Sequence, residues 1–362
     1  MIEQVIISDA ASGLCQVKSG SVNCCCTSPP YFRLRDYGTP PVEWPKVEYS
    51  PMAGLPPITV DEWVGEMGQE LTVSDYIGHL VFVFREVFRV LRDDGVLWLN
   101  LGDSYSGNGA AYGDDKSALQ GATQGGRDGK SRAKKGGLPD KNLYGVPWRA
   151  AFALQADGWI LRQDVIWHKT NAMPGSQRDR CTSSHEHVFM MTKSPRYFFD
   201  RSAILEPLKG STLNDRRMFD DSISEDRRQR SHPGHAQHGS GMMKPTGIRF
   251  GGNKYGDSEE HPTKSGNEYV STGFAIKRDV WPVATQPYSG PHFACWPMKL
   301  VEPMVLSSCP PGGVVLDPFF GTGVTGIVAK KHGRGYIGVD IDERNKALFE
   351  KRMVETLGLF SI

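Results

Sequence analysis

The chain has no run of 18 apolar residues, which excludes a helix spanning a membrane. Its opening, Met1-Ile2-Glu3-Gln4-Val5, has neither a basic stretch nor an apolar core, so a secretory signal is not expected. No C-x-x-C pair occurs among the seven cysteines, Cys15, Cys24, Cys25, Cys26, Cys181, Cys295 and Cys309. Three adjacent cysteines cannot all face one ion, because side chains alternate along a strand. The cysteines are expected to be small buried residues in a reducing, cytoplasmic setting, and no metal is expected. An excess of either charge is also missing: 42 Lys and Arg stand against 41 Asp and Glu, a net charge of +1. Net charge therefore does not announce a nucleic-acid partner, although a neutral protein can carry one basic face.

What remains is an ordinary globular composition, 39% hydrophobic and 23% charged over 362 residues. That length suits one large domain, or a core with a smaller appendage. Residues 5–9 read as a short buried strand, and Val22 to Thr27 as a second that stops where Pro29 and Pro30 cannot donate to a ladder. Residues 38–72, rich in Pro and Gly, read as a loop. From Ser74, the expected N-cap, apolar residues at Ile77, Leu80, Val81, Phe84, Val87, Phe88 and Leu91 mark one helix face. Asp93-Asp94-Gly95 should turn the chain into a buried strand, Val96 to Leu101. Pro147 to Gly158 reads as a helix; Ile160 to Trp167 and His187 to Thr192 read as strands. Helices alternating with apolar strands predict a doubly wound, mostly parallel α/β sheet.

Two stretches break this pattern. Residues 104–141 are Gly- and Ser-rich and carry Arg127, Lys130, Arg132, Lys134 and Lys135, which reads as a mobile basic loop or a plain linker. Residues 208–275 are also polar, with Arg216, Arg217, Arg227 and Arg228. His232, His235 and His238 lie there too, at a spacing that is a poor zinc pattern without cysteine or carboxylate support.

Two constellations carry chemistry. Asp317-Pro318-Phe319-Phe320-Gly321-Thr322-Gly323 follows the apolar strand Val314 to Asp317 and precedes a helix from Val324 toward Lys331. Glycines there let the backbone turn beside a nucleoside, and Asp340, ending the next strand from Gly335, stands where an acid binds ribose hydroxyls. The other is Thr27-Ser28-Pro29-Pro30-Tyr31, again at a strand end. Stiff prolines with exposed carbonyls, a hydroxyl and an aromatic ring suit a flat substrate bearing an amino group.

Together the two motifs resemble the amino-methyltransferases of DNA, in the class where the catalytic motif precedes the cofactor motif (the beta class). Thr27 to Tyr31 is similar to the [DNS]-P-P-[YFW] motif of that family, Asp317 to Gly323 to its cofactor loop, and Asp340 to its ribose acid. The resemblance implies the class I S-adenosyl-L-methionine-dependent methyltransferase fold with a circularly permuted motif order and an inserted variable region. It implies a catalytic part over residues 1–205, a target-recognition region over 206–278 and a cofactor part over 279–362. Catalysis would fall to Ser28, Pro29, Pro30 and Tyr31. S-adenosyl-L-methionine would be held by Asp9, His292, Phe293, Ala294, Asp317, Pro318, Phe319, Gly321, Thr322, Gly323 and Asp340. Asn100 to Ser104 and Ile166 to Lys169 fall where the family has further pocket-lining strands. DNA would meet the Arg/Lys clusters of the two variable regions. The implied reaction flips a base out of double-stranded DNA and methylates its exocyclic amine, with no separate general base. Ser at the first motif position leans toward cytosine N4; adenine N6 stays open. An RNA methyltransferase with a related motif normally carries it after the cofactor loop, and a non-catalytic DNA-binding protein should show a damaged motif, which this chain does not. A homodimer stays open, as does a cognate restriction endonuclease or none; a membrane partner is not expected.

Overall fold

The computed structural model describes residues 1–106, 138–175, 178–207, 274–286 and 296–358. The basic clusters at 127–135 and 216–228 and the segment His292, Phe293 and Ala294 lie outside them, as does Cys295.

An eight-stranded sheet organises the larger unit, which comprises residues 1–204 and 278–362. Its strands are β1 (Glu3–Ile7), β2 (Val22–Thr27), β7 (Leu91–Leu101), β8 (Ile160–His168), β9 (His185–Thr192), β12 (Val280–Pro282), β13 (Val314–Asp317) and β14 (Gly335–Asp340), in the order β1-β14-β13-β2-β7-β9-β8-β12. All neighbours run parallel except β9, which pairs antiparallel with both β7 and β8. The helices are α1 (Ala10–Cys15), α2 (Val73–Val90), α3 (Val146–Ala156), α4 (Met298–Ser308), α5 (Val324–Lys331) and α6 (Glu343–Leu357).

Period-two alternation divides the strand side chains between two cores. Cys25, Leu97, Leu99, Leu316 and Val339 join the apolar faces of α1, α2 and α3. Cys24, Cys26, Val96, Trp98 and Val315 join those of α4, α5 and α6. The three cysteines thus split as alternation predicts, with Cys24 and Cys26 sulfurs 3.5 Å apart on one face. Cys309 is buried as well, but Cys15, the last residue of α1, and Cys181 are exposed, contrary to expectation. Helices on both faces of a mostly parallel sheet are the architecture read from the sequence.

Several boundaries differ from the reading. The first strand is Glu3–Ile7, and it is half exposed because it is an edge with β14 as its one neighbour. Asp9 lies past it as the N-cap of α1, its Oδ1 accepting from Ser12 N at 2.9 Å. The N-cap of α2 is Thr72, not Ser74: Thr72 and Asp75 form a reciprocal capping box that satisfies two end donors. Asp93-Asp94-Gly95 does not leave the sheet. β7 begins at Leu91, opposite Val22, and a register shift between Val22 and Cys24 absorbs the extra residues. Residues 38–72 are not all loop. They hold β3 (Val42–Trp44), β4 (Val47–Tyr49), β5 (Ile58–Val60) and β6 (Trp63–Gly65), paired antiparallel as β3 with β6 and β4 with β5. Val47, Tyr49 and Val60 are buried in the α2 side of the core.

The second unit spans residues 205–277. Its described part is an antiparallel pair, β10 (Leu205–Pro207) with β11 (Phe274–Ile276). Lys277 Nζ meets Glu206 Oε1 there at 2.5 Å. No helix among the described residues is long and apolar enough to cross a membrane. None of their His, Cys, Asp and Glu side chains form a group of three or more that could hold a metal ion.

Candidate active site

The sheet order itself builds a site. From β13 the chain winds through α5 to β14 on one side, and from β2 through α2 to β7 on the other. Adjacent β13 and β2 are therefore a topological switch point, where the carboxyl ends of neighbouring strands send their loops apart and leave a crevice. The loop after β2 is Ser28-Pro29-Pro30-Tyr31, and the loop after β13 is residues 318–323. Residues almost a chain length apart thus face one crevice. Thr27 Oγ1 donates to Asp317 Oδ1 at 2.7 Å and joins the two loops at their roots.

Asp317 is turned into the protein. It also accepts from Thr325 Oγ1 at 2.8 Å and from Phe319 N at 3.1 Å. Burial pushes its carboxyl up to about 6, with the nearby charge of Asp340 adding a smaller push and these hydrogen bonds opposing. The glycine turn beyond is shaped by packing. Gly323 has φ of 71°, and a Cβ there would fall 2.0 Å from Phe349 Cδ2. Glycine alone supplies both the left-handed backbone and the room. Asp340 Oδ2 accepts from Gly321 N at 2.6 Å, while Oδ1 accepts from Asp342 N and Asn345 Nδ2. Burial raises its carboxyl pKa as well. Ile7 pairs with Asp340, so Asp9 follows the neighbouring strand end. Pro318 and Thr322 are buried and Phe319 is partly buried; Thr322 accepts from Arg352 Nη1 at 2.5 Å. Acidic acceptors at the ends of β1 and β14, beside a glycine turn after β13, fit the hydroxyls and the close approach of a nucleoside.

The loop after β2 is braced on three sides. Tyr76 OH, from α2, donates to the Pro30 carbonyl at 2.8 Å, so that carbonyl is engaged and not exposed as the proline reading held. Phe32 is buried edge-on to Tyr144, and Ser104 Oγ donates to its carbonyl at 2.9 Å. The Tyr31 ring lies against Gly102, where a Cβ would come within 2.5 Å of it. The Tyr31 hydroxyl sits 2.8 Å from Glu186 Oε2 and 3.0 Å from Asn100 Oδ1, and Ser28 Oγ reaches Tyr31 OH at 3.3 Å and Asn100 Oδ1 at 3.4 Å. Desolvation first, and the Glu186 charge second, hold the Tyr31 phenol well above its usual pKa, so it stays protonated.

Asn100 and Lys169 lie in segments already suspected of lining the pocket, but their roles were not legible. Glu186 was missed. The strand reading began at His187, two residues after β9 starts at His185, and the usable signal was a carboxylate just before an apolar strand run.

Acidic strand ends beside a glycine turn, a hydroxyl–proline–aromatic loop across the crevice and a mostly parallel sheet with one antiparallel strand define a class I S-adenosyl-L-methionine-dependent methyltransferase. The family model of the DNA methylases, the N6/N4 methyltransferases, matches residues 22–351. The chain belongs to this DNA methylase family, whose methyl donor is S-adenosyl-L-methionine. It is 36% identical over 335 residues to the type II methyltransferase M.Cfr9I of Citrobacter freundii, covering 92% of this chain and 82% of that one. To the type II methyltransferase M.SmaI of Serratia marcescens it is 34% identical over 351 residues, covering 97% and 90%. In structure it is similar to the cytosine-N4-specific PvuII DNA methyltransferase, with a TM-score of 0.53 over 98% of this chain and 91% of that one at 14% identity, a likeness of fold.

Proposed function

We propose that the chain methylates cytosine N4 in a flipped base of double-stranded DNA, at the crevice between the loops after β2 and β13. The observation that carries the choice of base is Ser28, a hydroxyl at the first motif position, where the family resemblance leans toward cytosine N4. Ser28 and the Pro29 carbonyl accept the amino hydrogens and favour a pyramidal, attacking nitrogen. Tyr31 stacks on the base. Pro29 and Pro30 keep this geometry stiff.

The cofactor supplies a sulfonium-bound methyl group that is already strongly electrophilic, so this chain's task is alignment. Asp340 and Asp9 take the ribose end, residues 318–323 form the turn beside it, and His292, Phe293 and Ala294 close the methionine end. Asp317 acts from beneath by holding Thr27 and Thr325. When bound, the cofactor would supply the methyl group to the amine lone pair, while Ser28 and the Pro29 carbonyl would hold the amine in line and its displaced proton would pass to water. The basic clusters at 127–135 and 216–228 grip phosphates, and the unit at residues 205–277 recognises the target sequence. The type II character of the relatives favours a restriction–modification role in the cytoplasm, with a cognate endonuclease as partner.

The test is methyl transfer to plasmid DNA beside cofactor affinity. Ser28→Ala and Tyr31→Ala should lower turnover while S-adenosyl-L-methionine still binds; Tyr31→Ala removes stacking worth roughly 1–3 kcal/mol. Product analysis should return N4-methylcytosine. N6-methyladenine would overturn the choice of base, and a double variant with normal turnover would move the site elsewhere.

A further inference from the structure

Glu186 and Lys169 form an ion pair at the rim of the crevice, between Glu186 Oε1 and Lys169 Nζ. The two side chains are only 14% and 24% exposed. Glu186 stands on β9 opposite Trp167 of the antiparallel β8, Lys169 follows directly after the end of β8, and its ammonium also lies 4.8 Å over the Trp167 ring. Desolvating two charges costs about as much as their attraction returns, so such a pair is a weak source of folding stability. Its geometry points to another use.

The second oxygen of Glu186 is aimed at the catalytic loop. Oε2 accepts from Tyr31 OH at 2.8 Å and from Asn100 Nδ2 at 3.2 Å. Asn100 Nδ2 donates in addition to the His187 carbonyl at 3.0 Å. With both amide hydrogens directed this way, the amide orientation is set, and Oδ1 is left to accept from Ser28 Oγ at 3.4 Å, since the single Tyr31 hydroxyl proton goes to Glu186 at the shorter distance. One carboxylate thus fixes an aromatic ring by its hydroxyl and a carboxamide by its nitrogen, and both partners adjoin Ser28. Lys169 occupies the other oxygen, so both oxygens of the Glu186 side chain are engaged and its orientation is fixed from two sides.

We propose that Glu186 is a positioning residue for methyl transfer, locking Tyr31 and Asn100 in the orientation that the target amine meets, with Lys169 as its counter-ion. This rests on the reading that the Ser28–Tyr31 loop handles the flipped base. Glu186 is not required to touch the base, and neither a proton nor an electron pair passes through it.

The test uses the full chain, plasmid DNA and S-adenosyl-L-methionine, with turnover, KM for DNA and cofactor affinity measured for each variant. Glu186→Ala should lower kcat by about 10²-fold, the scale of a misplacement near 1 Å, with cofactor affinity unchanged. Glu186→Gln keeps the shape and one acceptor oxygen and should recover about tenfold of that loss; a purely electrostatic role would give no rescue and a purely space-filling role a complete one. In a Tyr31→Phe background, where the hydroxyl is already gone, Glu186→Ala should cost several-fold less than in the parent, because coupled residues are not additive. Lys169→Met combined with Glu186→Ala should be no worse than Glu186→Ala alone.

Normal kcat in Glu186→Ala, full additivity with Tyr31→Phe, or loss of cofactor affinity in step with turnover in both Glu186 variants would each overturn the proposal. The Ser28→Ala, Tyr31→Ala double variant is the control: if it is inactive while Glu186→Ala is normal, only the role of Glu186 fails. If the double variant is active, the reading of the site fails first.

Discussion

Thr27 and Asp317 are 290 positions apart in the chain and share a buried hydrogen bond of 2.7 Å. It ties the last residue of β2 to the last residue of β13, and so sets the Ser28–Tyr31 loop against the loop of residues 318–323. Thr27→Val keeps the shape and removes the donor. It should cost roughly 1–3 kcal/mol, because a buried carboxylate oxygen loses a partner. Urea denaturation checks the stability, and cofactor affinity should weaken with it.

The same carboxyl gives a pH signature. Burial holds Asp317 at about 6, above the ~3.9 of an unfolded aspartate. Between those values the folded chain binds the proton more tightly than the unfolded one. This group's contribution to stability is therefore greatest below about pH 4 and is lost as the pH rises through about 6. Asp317→Asn abolishes the titration. Urea midpoints from pH 4 to 7 should fall less steeply in the variant than in the parent, and parallel profiles would contradict the assignment.

Gly323→Ala should be among the most damaging single-methyl changes in the chain. Its backbone is left-handed, and the new Cβ would stand 2.0 Å from Phe349 Cδ2. Conformational strain and overpacking together amount to about 2–4 kcal/mol. Thermal melting should show the loss, and calorimetry should show weakened S-adenosyl-L-methionine binding. A variant as stable as the parent would mean that Phe349 moves aside freely.

Asp340→Ala removes the acceptor at the end of β14 and leaves Gly321 N without its 2.6 Å partner. Cofactor affinity should drop by roughly 1–3 kcal/mol, as for a charged hydrogen bond. DNA affinity in the absence of cofactor should stay near the parent value. Unchanged calorimetric affinity for S-adenosyl-L-methionine would remove Asp340 from the site.

DNA binding should depend strongly on salt although the net charge is only +1. Replacing Arg127, Lys130, Arg132, Lys134 and Lys135 with glutamine should weaken binding to all sequences alike. The slope of log affinity against log salt should flatten by about 0.9 for each phosphate that is no longer neutralised. If the slope is untouched, residues 127–135 are only a linker.

Where structure follows from local chemistry, the sequence was a sound guide. β2, β13, α5 and β14 run between the residues that their apolar patterns and glycine turns indicated, since alternation, helical spacing and a proline stop are all written within ten residues. The two motif loops were visible for the same reason. The β3–β6 and β4–β5 pairs were not, because three-residue strands are too short to display a period. Their pattern makes sense only against α2, where Tyr49 OH donates to Ser74 O and Trp44 stacks on His79.

The sequence by itself determined β2, β13, α5 and β14, the two chemical loops and their order along the chain, because each depends on neighbours a few residues away. The tertiary structure alone decided that β2 and β13 lie side by side, that Thr27 grips Asp317 and that Tyr31 leans on Glu186, 155 positions later. Those contacts are made between strands whose adjacency follows from burying both faces of the whole sheet at once. That is a balance summed over the entire chain, and no short stretch of sequence carries it.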